Sequence, residues 1–163
     1  MFPKFAWYHV LGFFWVLPVS ILGWVFIGIL AALRQIENIE VQNDLSFVWD
    51  LKNSGFFYKY MEGKWFGFAV GNSEIVADAP DTERGIRKLK HENRHVKQQY
   101  ALGVFFFPVY VVESLRLFFF HKDKHAYLDN WFERDARKHA GQIVDILPEQ
   151  WPEGPKDRWP WWG

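Results

Sequence analysis

Residues 101–120, ALGVFFFPVYVVESLRLFFF, admit two readings that lead to different folds. As a helix the run extends about 30 Å, the thickness of a hydrocarbon core, which is enough to carry the chain across a bilayer. Two features inside it oppose that. Glu113 and Arg116 stand three apart, expensive at mid-bilayer and placed to pair on one helix face. Pro108 bends or breaks a continuous helix. The segments that flank the run oppose it as well.

On its N-terminal side stands His91-Glu92-Asn93-Arg94-His95, an HExxH pattern in a charged segment predicted to be helical. Two histidines four apart lie one above the other on a helix face, so both imidazoles reach one zinc ion and the glutamate sits beside a water on it. With 6 histidines in 163 residues, random order yields only about 0.01 such matches. A catalytic zinc site takes three protein ligands, so a further donor is needed, and the absence of cysteine leaves histidine or carboxylate to supply it. On the C-terminal side Glu133 sits in a predicted helix, with Asn130 as cap and Phe132 and Ala136 four apart on one buried side. A membrane-crossing run would leave Glu133 about 30 Å from the histidines. The run is therefore expected to be a bent hydrophobic helix or hairpin, buried in the domain or lying in the interface, with Glu133 on a helix packed against the first.

HENRHVKQ, an apolar run with a central proline, and YLDNWFERDA together resemble a family of small bacterial and phage zincin-like proteins, whose shared pattern is HExxHxxQ, a hydrophobic segment and Tyr-x-x-Asn-x-Phe-Glu. The resemblance covers roughly residues 65 to 140. It implies the gluzincin arrangement, with His91, His95 and Glu133 as metal ligands, Zn2+ as cofactor, and Glu92 as general base in hydrolysis of a peptide bond. Glu92 would take a proton from a water acidified by zinc and return it to the leaving amine. Tyr127 or His125 is placed to stabilise an oxyanion, and each is equally a packing or surface residue. Gln98, one turn beyond His95, is either a support of the site or a solvated polar residue. The chain departs from the thermolysin-like pattern four residues after the glutamate ligand, where Arg137 stands in place of an aspartate that orients the first histidine. Asp129 or Asp135 is the candidate substitute.

Farther out, residues 10–33 are 24 residues without a charge, expected to form one transmembrane helix despite Pro18. A cleaved signal peptide would have an apolar core of only about 7 to 15 residues. Lys4 and Arg34 flank the stretch symmetrically and leave its orientation open. Residues 34–54 look like a polar connector. Residues 55–77 are aromatic and β-branched with glycine punctuation, which predicts two or three short strands turning at Glu62-Gly63 and Gly71-Asn72, a small antiparallel sheet. Asp78 or Thr82 caps the helix that follows, whose stripe of Ile86, Leu89, Val96 and Tyr100 is expected to face the sheet while the histidines face a cleft. The tail from Leu147 is rich in proline and tryptophan, suited to wrapping the domain or resting at a membrane interface.

Composition narrows the functional class. Lysine and arginine balance aspartate and glutamate at 19 each, and the basic residues from Arg84 to Lys97 make a solvated helix face, so no nucleic-acid partner is expected. Aromatic content of 20% with 10 tryptophans suits a bilayer interface. The expected fold is α+β: an N-terminal anchor over 1–34, a zincin-like domain over 35–146 with the HExxH helix and a packed helix carrying the third ligand, and a tail over 147–163. The expected function is a single-pass, bacterial or phage-encoded, membrane-anchored zinc peptidase-like hydrolase whose partners are a peptide or protein substrate and membrane lipid. The alternative is a non-catalytic membrane, assembly or binding module that retains such a fold.

Overall fold

A computed structural model of the chain describes residues 7–62, 67–76, 82–143 and 145. Its elements run α1 (Trp7–Ala32), β1 (Ile36–Val41), β2 (Phe47–Leu51), α2 (Phe56–Glu62), β3 (Gly67–Val70), β4 (Ser73–Val76), α3 (Glu83–Leu102), a 3-10 turn (Gly103–Phe105), α4 (Phe106–Phe120) and α5 (Trp131–His139). The architecture is α+β, as expected, but the sheet is mixed and four-stranded in the order β1-β2-β4-β3. Its outer pairs are antiparallel, while β2 and β4 run parallel in register from Phe47 opposite Ser73 to Asp50 opposite Val76. Two expectations are thereby corrected. The polar stretch read as a connector supplies β1 and β2, and the aromatic FFYKYME forms helix α2 instead of a strand. The excursion through α2 and β3 is what lets β4 return beside β2 in the same direction.

Alternation along the strands gives the sheet two different faces. One face is apolar: Leu51 and Ile75 join Ile27 and Leu30 of α1 in a core, with Trp49, Phe57, Tyr58 and Phe68 packed around it. The other sets polar groups among buried Val48 and Val76, and α3 covers it: Asn93 donates to Glu74 of β4 at 3.0 Å, and Gln99 donates to the Ala69 carbonyl of β3. The expected seating of α3 is corrected at Ile86 alone, while Val96 is buried as expected. Ile86 is exposed, and the buried side carries Glu92, His95, Val96 and Gln99, because the face of the sheet beneath it offers polar partners.

Helix α1 buries a single stripe, Gly12, Val16, Val19, Ser20, Gly23, Ile27 and Leu30, and leaves its remaining surface exposed. Ser20 Oγ accepts from the Asn72 amide at 3.1 Å, holding α1 to the β3–β4 turn. That turn needs Gly71: its φ is +64°, and a Cβ there would lie 2.4 Å from Ser20 Cα. By length and composition α1 is suited to crossing a membrane, with mean hydropathy 2.3; the stretch Glu83–Phe120, at 1.7, passes the same test.

That second stretch is bent, as expected, but at Gly103 and not at Pro108. Gly103 has φ +57° and ψ −134°, which ends α3, and a Cβ on it would meet the Trp15 indole at 2.4 Å. Pro108 falls in the first turn of α4, where its missing N–H costs nothing. Helix α4 is only partly covered: Phe106, Ser114 and Leu117 are buried, whereas Val112 and Phe120 are 64% and 79% exposed. Glu113 and Arg116 pair with each other at 2.7 Å. Thr82 caps α3 through the Gly85 amide. Lys4, Gly63, Asp78 and the tryptophan-rich tail lie outside the described residues.

Candidate metal centre

His91 and His95 occupy successive turns of α3, and Glu133 occupies the first turn of α5. Asn130 starts α5 where the sequence predicts: its Oδ1 accepts from the Phe132 amide, while its Nδ2 donates to Ser114 Oγ and to the Tyr110 carbonyl of α4. Helix α5 therefore lies against both α3 and α4, and Glu133 is swung toward the histidines. The structure thus brings together the three side chains that straddle the apolar run, and their ligand atoms all fall within 4.8 Å of one another. The Nε2 atoms of His91 and His95 are 3.2 Å apart, and each is 3.2 Å from one oxygen of Glu133. A tetrahedral ion about 2.0 Å from each donor separates its ligands by about 3.3 Å. The cluster has the size of one such ion.

Hydrogen bonds behind the ring of ligands fix their orientation. His95 Nδ1 faces Gln98 Oε1 at 2.8 Å, and the Gln98 amide nitrogen is committed to the Phe132 carbonyl and to Asp135. The Gln98 oxygen must accept, so the proton of a neutral His95 resides on Nδ1 and the Nε2 lone pair points at Glu133. His91 is held in the same way by Gln142 Oε1 at 3.1 Å. Gln142 reaches it because α5 ends in a Schellman turn: Gly141, at φ +68°, donates to the Lys138 carbonyl and Gln142 to that of Arg137. Two imidazole nitrogens and a carboxylate converge on one point, an arrangement that a bound cation satisfies and that, without one, a proton shared between His95 and Glu133 satisfies.

Without a metal the cluster is an imidazolium–carboxylate pair. Burial alone would depress His95, but the adjacent Glu133 carboxylate outweighs it and carries the imidazole up to about 9. Burial would raise Glu133, and the two histidines instead hold it well below the usual carboxylate range. Glu92 is buried, and burial together with the Glu133 charge lifts it above an ordinary glutamate against the pull of both histidines. It lies beside Gly67 of the edge strand β3, where a Cβ would approach Glu92 Oε1 to 3.1 Å.

The remaining candidates divide. Tyr127 faces Glu133, and burial followed by that charge keeps its phenol protonated. His125 does not reach the cluster as a donor: its Nδ1 accepts the Tyr127 and Leu128 amides and shapes the turn before α5. Arg137 donates to the Leu128 carbonyl, bracing the same turn. Asp129 accepts from the His125 amide, and Asp135 binds Arg94 at 2.6 Å and Gln98; neither touches a histidine ring. Asp135 acts one step removed, through Gln98. Two residues escape a reading of the sequence: Tyr110, which donates to Glu133 Oε1 at 2.8 Å from within the apolar run, and Gln142, whose only signal is the glycine before it.

A second polar knot sits under α3. Asn93, the residue after the motif glutamate, donates to Asp44 at 2.8 Å and to Glu74, and Asp44 in turn accepts from Ser46 at 2.7 Å. Burial, offset in part by the Asn93 bond and reinforced by Asp44 and Glu92, pushes Glu74 up to about 8. The knot pins the histidine-bearing turn of α3 to β4. Comparison with family models, with curated proteins and with solved structures finds no match for this chain.

Proposed function

We infer that the protein is a zinc-dependent, peptidase-like hydrolase that works at a membrane to which α1 ties it, within a bacterial or phage-encoded zincin-like family. The observation that carries this reading is the mutual 3.2 Å spacing of His91 Nε2, His95 Nε2 and the Glu133 oxygens. Two imidazoles and one carboxylate, each turned toward a common point, are a donor set for zinc, with a fourth position left for water or substrate. Zinc, when bound, supplies Lewis-acid polarisation of a carbonyl and acidifies water. The chain's own residues do the rest. Glu92, raised by burial, takes a proton at its carboxylate and returns it to a leaving amine. Tyr127 and Tyr110 stay protonated beside Glu133 and orient it or meet developing charge. Strand β3 is a sheet edge beside Glu92, so an extended peptide adding to that edge would bring its carbonyls to the motif. By length and composition α1 is suited to contact with a membrane.

The second reading, a metal-stabilised binding module without catalysis, is favoured by one observation. The ligand side chains are only 4% to 12% exposed, and a cavity of about 650 Å³ lined by Arg94, Lys97, Leu102, Trp131 and Phe132 lies behind Gln98, away from them. Metal analysis of the detergent-solubilised protein comes first: about one zinc per chain, lost in His95→Ala and in Glu133→Ala, is the expected result. No zinc under metal-replete conditions would sink the hydrolase reading and a metal-stabilised module alike, leaving a binding module that folds without metal. Glu92→Gln then separates them, because a peptidase keeps its zinc and loses roughly 10²–10⁴ in rate, whereas a binding module keeps its function.

A further inference from the structure

The stripe that α1 buries runs from Gly12 to Leu30, about 27 Å of helix at about 1.5 Å per residue, close to the full thickness of a hydrocarbon core. Along all of it the partner is protein. Gly12 packs on Tyr100, Trp15 on Gly103, Ser20 on the Gly71–Asn72 turn, Gly23 on Val70, and Ile27 and Leu30 on Ile75 and Leu51. Were α1 to cross a bilayer, these partners would lie in hydrocarbon with it. So would the layers behind them: buried Glu74 and Asp44, and the outer strand β1, whose Glu37 and Glu40 are exposed. An open, charged sheet edge has no place there.

The outer surface of α1 has the opposite character. Residues 10–33 carry no charge, and Leu11, Phe14, Leu22 and Val25 are each more than half exposed. Trp15, at Gly103, joins this surface to that of the 3-10 turn and α4, where Phe105, Val112 and Phe119 are equally bare. The only charges on α4, Glu113 and Arg116, cancel in their own ion pair. Charge returns at the margins: Arg34 follows α1, Lys122 follows α4, and Trp7 and Tyr8 open α1. An uncharged apolar field bordered by cations and amphipathic rings complements a lipid leaflet and its anionic headgroups.

We propose that α1 does not cross the membrane: the joined outer faces of α1 and of the 3-10 turn with α4 dock the protein in one leaflet, with both ends of α1 on the same side of the bilayer. The metal centre then stands directly behind the lipid-facing helix, since Phe106 and Tyr110 of α4 lie against His95 and Glu133. Substrate reaches it at the lipid–water boundary, which selects juxtamembrane segments over peptides free in solution. The docking rests on α1 as the membrane-contacting element and is independent of the metal chemistry, whereas the substrate preference rests on the hydrolase reading.

The full chain has no cysteine, so single-cysteine variants report topology directly. Lys4→Cys, Glu37→Cys and Lys90→Cys are each reconstituted into sealed phosphatidylcholine–phosphatidylglycerol vesicles and treated with a membrane-impermeant thiol reagent, with zinc content measured on the same samples. All three sites labelling from one side is expected; Lys4→Cys and Glu37→Cys labelling from opposite sides overturns the proposal. Flotation with the same vesicles is the second arm. Wild type is expected to float, and Leu22→Glu with Phe119→Glu to lower the bound fraction by about tenfold or more while zinc is retained. A wild-type chain that forms a dimer and does not float shows the face to be an interface between copies, which also overturns it. Loss of zinc without change in topology or flotation strikes at the hydrolase reading alone.

Discussion

Gln98 is the residue whose removal most directly tests the logic of the metal centre. It is 7% exposed and makes three polar contacts at once, accepting from His95 Nδ1 and donating to the Phe132 carbonyl and to Asp135. Gln98→Leu keeps the volume and removes all three. His95 then loses the acceptor that fixes its tautomer and ring plane, a kind of loss that lowers metal affinity by about 10 to 100-fold, or about 1.4 to 2.7 kcal/mol. The imidazole N–H is left buried without its acceptor, at about 1 to 3 kcal/mol, whereas the Phe132 carbonyl keeps its helical bond within α5 and Asp135 retains Arg94 and solvent, so both add little. Metal-free stability should therefore fall by about 1 to 3 kcal/mol and zinc affinity by one to two orders of magnitude. Competition against a chromophoric chelator measures the second, and thermal unfolding in EDTA the first. An affinity within threefold of wild type would refute the claim that Gln98 orients His95, whatever happened to the melting temperature. A drop in stability with affinity intact would reduce Gln98 to a packing residue.

Two further outcomes concern the scaffold. Glu74 is an acid lifted from 4.5 to about 8 by burial, so the folded state holds a proton that the unfolded state releases; its favourable contribution is complete below about 4.5 and is lost as pH rises through about 8. Glu74→Gln, which keeps the oxygen that accepts from Asn93, should flatten this loss and gain a few kcal/mol at pH 8 relative to wild type, since each tenfold change in proton affinity is worth about 1.4 kcal/mol. Parallel pH–stability curves in unfolding titrations would show that Glu74 is not the group responsible. Gly71→Ala places a Cβ 2.4 Å from Ser20 Cα at a φ of +64°, and should cost about 3 kcal/mol or more by thermal unfolding, whereas Gly28→Ala, where a Cβ meets nothing within 4 Å inside α1, should be neutral or gain up to about 1 kcal/mol.

What can be read from the sequence is local or chemically specific. The HExxH helix, its Thr82 cap, the Asn130 cap and the apolar length of α1 follow from spacing and side-chain chemistry alone. The pairing of Glu133 with two histidines from across an apolar run is legible because a metal demands a fixed number of donors and the chain offers no thiols. Elements whose character is set by partners are not legible. Strand β1 buries almost nothing and pairs on one side only, so its side chains carry no alternation to detect. FFYKYME has strand-like composition and becomes a helix because Phe57 and Tyr58 need to reach the core beside α1. The seating of Ile86 on α3 is misassigned if apolar residues are assumed to seek the sheet. Here the sheet presents Glu74 and the Gly71 amide, and Asn93 and Gln99 answer them. Gln142 is invisible for a related reason, since only the turn at Gly141 brings it back to His91.

The strand order has a consequence for how the chain is made. Strand β4 is central, yet it is synthesised last of the four, so β2 waits for its parallel neighbour until α2 and β3 have been laid down. Helix α1 waits longer still: Ile27 meets Ile75 nearly fifty residues later, and Gly12 meets Tyr100 almost ninety residues later. Contacts so distant in sequence form slowly, because loop-closure entropy must be met before they are rewarded. Throughout that interval a wholly apolar helix stands without its protein partner. In dilute buffer such a nascent chain is prone to aggregate, and refolding from denaturant should succeed with lipid or detergent supplied from the start and fail when it is added afterwards.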